Sequence, residues 1–150
     1  MRKTMAMLAL GFTISVNATT NDWSYASITN MWYEGPNRSN VLVAANSRLA
    51  ANSNDVVGLV LKTTWHMSYG GVDEFTNTAL KAAAQCATIT NAVVRENYSI
   101  FTNDLQVIIK SIEMHDGPVF TEDELRKADL PHKIFDLDYL LNALNEAGKF

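Results

Sequence analysis

Ser39 to Leu80 reads SNVLVAANSRLAANSNDVVGLVLKTTWHMSYGGVDEFTNTAL, three apolar-periodic segments in a row with short polar breaks between them. Asn52-Ser53-Asn54-Asp55 is a run of short polar side chains that bond nearby backbone rather than propagate a helix, and each can accept from the free N–H groups that open the next one. One helix therefore ends there and another begins. Upstream, Leu42, Ala45 and Leu49 recur at helical spacing; downstream, Val57, Val60, Leu61, Thr64, Trp65 and Ser68 share one face, because positions three and four apart stack on a helix. Gly70-Gly71 supplies a stop. Val72-Asp73-Glu74-Phe75 then reopens a helix, with acidic residues in the first turn where the macrodipole favours them. Antiparallel helices joined by a few residues, repeated, make a solenoid. The expected fold is all-α: antiparallel helical hairpins stacked as a short solenoid.

Composition agrees with a folded chain. The 150 residues are 47% hydrophobic with only 3 Pro and 7 Gly, which is ordinary for a globular domain of this length. With 12 basic and 16 acidic residues the formal charge is −4, so no basic field is available to hold nucleic-acid phosphates or anionic lipid. No nucleic-acid partner is expected.

The N-terminus is a separate matter. Met1-Arg2-Lys3 is a short positive start, Thr4 to Val16 is mostly apolar, and Val16-Asn17-Ala18 ends in small residues at the spacing a signal peptidase reads. Residues 1–18 are expected to be a signal peptide, 19–150 a single all-helical domain, and the protein periplasmic or secreted. Loss of Arg2 and Lys3 would leave 10 basic against 16 acidic residues, a charge of −6. The apolar run is too short to span a membrane comfortably, and no later segment qualifies. Cys86 is the sole cysteine, so an exported chain would have no internal disulfide. It lies in Ala82-Ala83-Ala84-Gln85-Cys86-Ala87, where it should behave as a small buried apolar group.

From Asp22, which can cap it, a helix is expected over Trp23 to Tyr33, ended by Glu34-Gly35-Pro36. It carries Trp23, Tyr25, Trp32 and Tyr33, four aromatics that would serve either as core or as a sugar-stacking platform. Ser39 is a fair N-cap for the next. On the helix after Asp55, Leu59, Lys62 and His66 point away from the Val57 face, since nine residues at about 100° each put His66 opposite Val57. Apolar Leu59 on that side is what a middle helix with neighbours on two sides needs. Lys62 and His66 are candidate surface or groove residues.

An Ala-rich helix end (Arg48-Leu49-Ala50-Ala51), a polar turn with Asn and Asp, an aromatic late in the following helix (Trp65), a Gly pair and then Asp-Glu-Phe together are similar to tetratricopeptide-type helical repeats. The resemblance covers Ser39 to Leu80. It departs from the family at Lys62, where a small residue is usual, and at Ser53, where proline is common, and no second copy recurs at the family's period. It implies a concave protein- or peptide-binding surface without catalysis.

Beyond Leu80 the helix from Val72 should run to about Ala87, where Thr88-Ile89-Thr90 is β-branched and Asn91 can cap the next helix. Tyr98, Phe101, Leu105, Ile108, Ile109 and Ile112 predict one helix over Ala92 to Met114, kinked near Asn97 to Asn103, and His115-Asp116-Gly117-Pro118 ends it. Thr121-Glu122-Asp123-Glu124 is a capping box for a short helix to Ala128, broken by Asp129-Leu130-Pro131. Asp136 caps a last helix carrying Leu137, Leu140, Leu141 and Leu144, with Gly148 just past its end. Burying those four leucines would contribute on the order of 6 to 12 kcal/mol gross, before entropy. That helix is expected to cap the open end of the stack.

Recognised catalytic signatures are lacking: there is no Gly-rich phosphate loop, no His-Glu-x-x-His, no paired Cys and no nucleophile elbow. No cofactor or metal is expected. Glu113, His115 and Asp116 form the one tight His–carboxylate cluster, the starting point for a hydrolase or metal-enzyme alternative. Asn-x-Ser sequons stand at Asn37 and Asn97. The leading expectation is an exported helical-repeat module that binds an unknown protein or peptide. Glycan binding through the N-terminal aromatics is the alternative.

Overall fold

The structure, a computed structural model, describes residues 23–33, 39–115 and 136–150, with 117 and 123 as isolated positions. Seven helices and no strand occur among the described residues, so the all-α expectation holds there. They are α1 (Tyr25–Tyr33), α2 (Ser39–Ala51), α3 (Val56–Tyr69), α4 (Val72–Cys86), α5 (Ala92–Asn103), α6 (Leu105–His115) and α7 (Leu137–Glu146). Each of α1 to α5 packs against its successor in the chain, and the connections of two to five residues after α2, α3 and α4 force the chain to double back. None of these helices is long and apolar enough to cross a membrane. The expected signal peptide, the Asp22 cap, the Glu34-Gly35-Pro36 stop, the Asn37 sequon, the Asp129-Leu130-Pro131 break and all of the capping box but Asp123 lie outside the described residues.

Helix α3 is the middle of the array. Val56, Val57, Gly58, Leu59, Val60 and Leu61 are all buried, as are Thr63 and Thr64. Leu59, on the side away from Val57, is only 3% exposed, which is the two-sided burial its position demanded. The two threonines satisfy their hydroxyls inside the helix, donating to Leu59 O at 2.7 Å and Val60 O at 3.0 Å. Trp65 and Ser68, expected on the buried stripe, are half-buried.

Helix α2 turns a slightly different face inward than its leucines suggested. Val41, Ala44 and Ala45 are buried, and Leu42 and Leu49 are half-buried. The reason is close approach: a side chain at Gly58 of α3 would lie 3.1 Å from Ala45 O and 3.0 Å from Leu49 Cγ, so small residues meet where the helices cross. Ser39 is the first helical residue rather than the cap before it. In α1 the capping oxygen belongs to Ser24, which accepts from Ser27 N at 3.3 Å.

The helix expected over Ala92 to Met114 is two. Asn91 caps α5 as anticipated, accepting from Val93 N and Val94 N. At Asp104 (φ −94°, ψ 1°) the chain bends and α6 begins. Thr102, Asn103 and Asp104 favour local side-chain bonds over helix propagation, and the Thr102 hydroxyl donates back to Tyr98 O at 2.7 Å. The bend lets Leu105, Ile108 and Ile112 stay buried while α6 packs on both α4 and α5.

The last helix keeps its expected local signals. Its cap is as read, with Asp136 Oδ1 accepting from Tyr139 N, and Leu137, Leu140, Leu141 and Leu144 are buried. Gly148 sits at φ +69°, and bonds from Gly148 N to Asn145 O and Lys149 N to Leu144 O close a Schellman turn. α7 packs against α1, α3 and α5, whose apolar residues receive its leucines.

Gly70 and Gly71 end α3 and open α4, both in extended backbone rather than the left-handed turn of a glycine stop. A Cβ at Gly70 would lie 2.8 Å from the His66 Cα, whereas one at Gly71 would meet only the movable end of the Glu74 side chain. Gly70→Ala is therefore expected to destabilise by about 1–3 kcal/mol through overpacking, and Gly71→Ala to stay within about 0.5 kcal/mol of the parent. Urea midpoints of the two variants at equal slope check this.

Candidate functional site

The candidate binding residues fall into two groups. Lys62 and His66 are half-buried, one turn apart on the second half of α3, and Glu74 of α4 lies close enough to act on His66 electrostatically. Between and beyond them Trp65 and Tyr69, also one turn apart, stack with ring centroids 4.6 Å apart at 40°. Tyr69 is 56% exposed. The surface at the end of α3 thus joins a preformed aromatic pair to a lysine and an imidazole.

His66 is held in an unusual way. Its Nδ1 is enclosed and has no hydrogen-bond partner among the described residues, and it is pressed against Gly70, whose missing side chain makes the room. Burial, with help from the Lys62 charge, lowers its pKa below the ordinary imidazole value, and Glu74 opposes them in part. Burial and the Lys62 charge both disfavour the charged imidazolium.

The second group is α1. Trp23, Tyr25 and Trp32 are half-buried and pack against the core, Tyr25 meeting Phe150 edge-on at 5.5 Å. Tyr33 is 49% exposed, and its hydroxyl hydrogen-bonds the Asp138 carboxylate at the start of α7. These rings brace the first helix against the last.

Glu113 and His115 are exposed on the last turn of α6, and Asp116 lies outside the described residues. No group of three or more His, Cys, Asp or Glu side chains able to hold a metal occurs among the described residues. At the second sequon, Asn97 Nδ2, the atom a glycan would occupy, donates to Asp136 O at 3.3 Å and ties α5 to the cap of α7.

Two residues of the structure escape sequence reasoning. Tyr69 does not stand out in the helical pattern, although its spacing from Trp65 is signal enough for a stacked pair. Arg48 reads only as part of a helix end, yet it reaches across to Asp55 and to the backbone of Lys149.

The titratable groups give two expected outcomes. A His66 pKa depressed in the folded state means that the unfolded chain takes up the proton first as pH falls. The associated stability is full above the unfolded imidazole value of about 6.5, drains away below it, and levels off under the folded pKa. His66→Gln should flatten that part of the stability–pH profile between pH 7 and 5, as measured by denaturant midpoints. Cys86 is buried on α4, and burial pushes its thiol up to about 12. Its labelling by a thiol reagent at neutral pH should track unfolding, with no reaction of the folded chain on that timescale.

No protein-family model, no curated protein and no solved structure matches this chain.

Proposed function

We propose that this chain is an exported, non-catalytic helical module, tetratricopeptide-like in the stacking of its hairpins, that binds a protein or peptide partner at the end of α3. The observation that carries this reading is the stacked Trp65–Tyr69 pair, with Tyr69 56% exposed, on the helix that also carries half-buried Lys62 and His66. A rigid helix holds both rings in their bound geometry before a partner arrives, so little conformational entropy is lost on contact. Aromatic side chains with a neighbouring cation are the kind of residues that dominate protein interfaces. Lys62 would favour an acidic or carbonyl-rich stretch of the partner beside an apolar residue that rests on the rings. Export follows from the basic start, apolar run and small-residue ending of residues 1–18.

A photo-crosslinking residue placed at Tyr69, and separately at exposed Asn142 on α7, tests this in the envelope or medium of the producing cells. The same partner band should form from position 69 and not from 142, and Trp65→Ala should remove it. Equal bands from both positions, or none from 69, would refute the assignment.

A further inference from the structure

Arg48 sits at the end of α2 with its guanidinium fixed by Asp55. Nε donates to Asp55 Oδ1 at 2.7 Å and Nη2 to Oδ2 at 3.0 Å, a bidentate pair in which both side chains are largely shielded from solvent. Asp55 is itself immobilised, since its Oδ1 also caps α3 by accepting from Gly58 N at 2.7 Å. The guanidinium keeps further donating capacity and an open face. Both are taken by the residues after α7: Nη2 donates to Lys149 O at 2.7 Å, and the Phe150 ring lies 5.6 Å from the guanidinium carbon. Tyr25 of α1 also meets that ring, edge-on at 5.5 Å and 79°.

We propose that Arg48, Asp55 and Tyr25 form a peptide-binding site, filled in cis by Lys149–Phe150, that accepts in trans a segment presenting an aromatic side chain immediately after a free backbone carbonyl. The ligand chemistry is read from the occupant: a carbonyl for the guanidinium edge and a ring that meets both guanidinium and phenol. The site does not depend on its occupant for order, because Asp55 holds Arg48 and α1 holds Tyr25 whether or not the ring is present. The occupant lies outside the helix, beyond the Gly148 turn, and Phe150 is half-buried. This site is at the opposite end of α3 from Tyr69, about 20 Å away along the helix, so either site can fail without the other.

The test uses the full chain and a fluorescent peptide Asn-Glu-Ala-Gly-Lys-Phe, the sequence of residues 145–150, blocked at both ends. Phe150→Ala empties the site and should bind the peptide at least tenfold more tightly than the parent, whose own segment competes. Adding Arg48→Lys to Phe150→Ala should lose that gain, since lysine cannot make the bidentate pair and the edge contact together. A peptide ending in Ala should not bind either protein. Equal binding by parent and Phe150→Ala, or binding unaffected by Arg48→Lys, overturns the proposal. Should Phe150→Ala melt below the assay temperature, millimolar peptide must raise its melting temperature by mass action, and the Ala-ended peptide must not. Absence of that rescue overturns it equally.

Discussion

A helix with no polar side cannot rest on a surface; it has to be surrounded. The first half of α3 places apolar or small residues at six consecutive positions, so burying one stripe still leaves a second exposed. Helices α2 and α4 take the sides reached by the shortest connections, and α7 returns from far along the chain to cover part of the rest. Most other features of the fold are consequences of packing around that rod. The small residues of α2 meet Gly58 because a bulky partner needs a shallow one opposite it, and the buried threonines bond their own helix because no water reaches them.

Polar groups are then used to fix positions, chiefly at helix ends. Asp55 serves three donors, the Gly58 backbone N–H and two nitrogens of Arg48, so the α2–α3 turn is held by cap and ion pair together. The wholly enclosed phenol of Tyr98 on α5 lies near Thr63 on α3 and Cys86 on α4, a polar point where three helices meet. Such groups cost stability unless matched, which makes them effective at excluding alternative packings. The α7 helix is tethered in the same manner, by Asn97 and Tyr33 at its start and Arg48 just beyond its end.

Once the core and its tethers are accounted for, the second half of α3 is left. Beyond buried Thr63 and Thr64 its side chains are half-buried or exposed, and Trp65 and Tyr69 form a ring pair on the stretch that also carries His66. The same helix is therefore core over its first half and partly exposed from Trp65 onward.

The local signals in the sequence were sufficient for local structure. The polar run before Val56, the caps at Asp55, Asn91 and Asp136, the leucine face of the last helix and the glycine past its end are all short-range effects, and each was legible because a cap or a 3.6-residue stripe acts within one or two turns. The two-sided burial of α3 was legible too, through Leu59. Side-chain competition at Thr102 to Asp104 was also local, but the apolar stripe running through it read as one helix. The rest was decided by contacts between residues far apart. Arg48 and Lys149 are separated by 101 positions and Tyr33 and Asp138 by 105, and no periodicity carries information across such distances. For the same reason the placement of α7 over α1, α3 and α5, the inward face of α2, and the exposure of Tyr69 beside buried Leu61 belong to the tertiary structure: each depends on which surfaces the assembled helices leave open, and that is settled only once they have met.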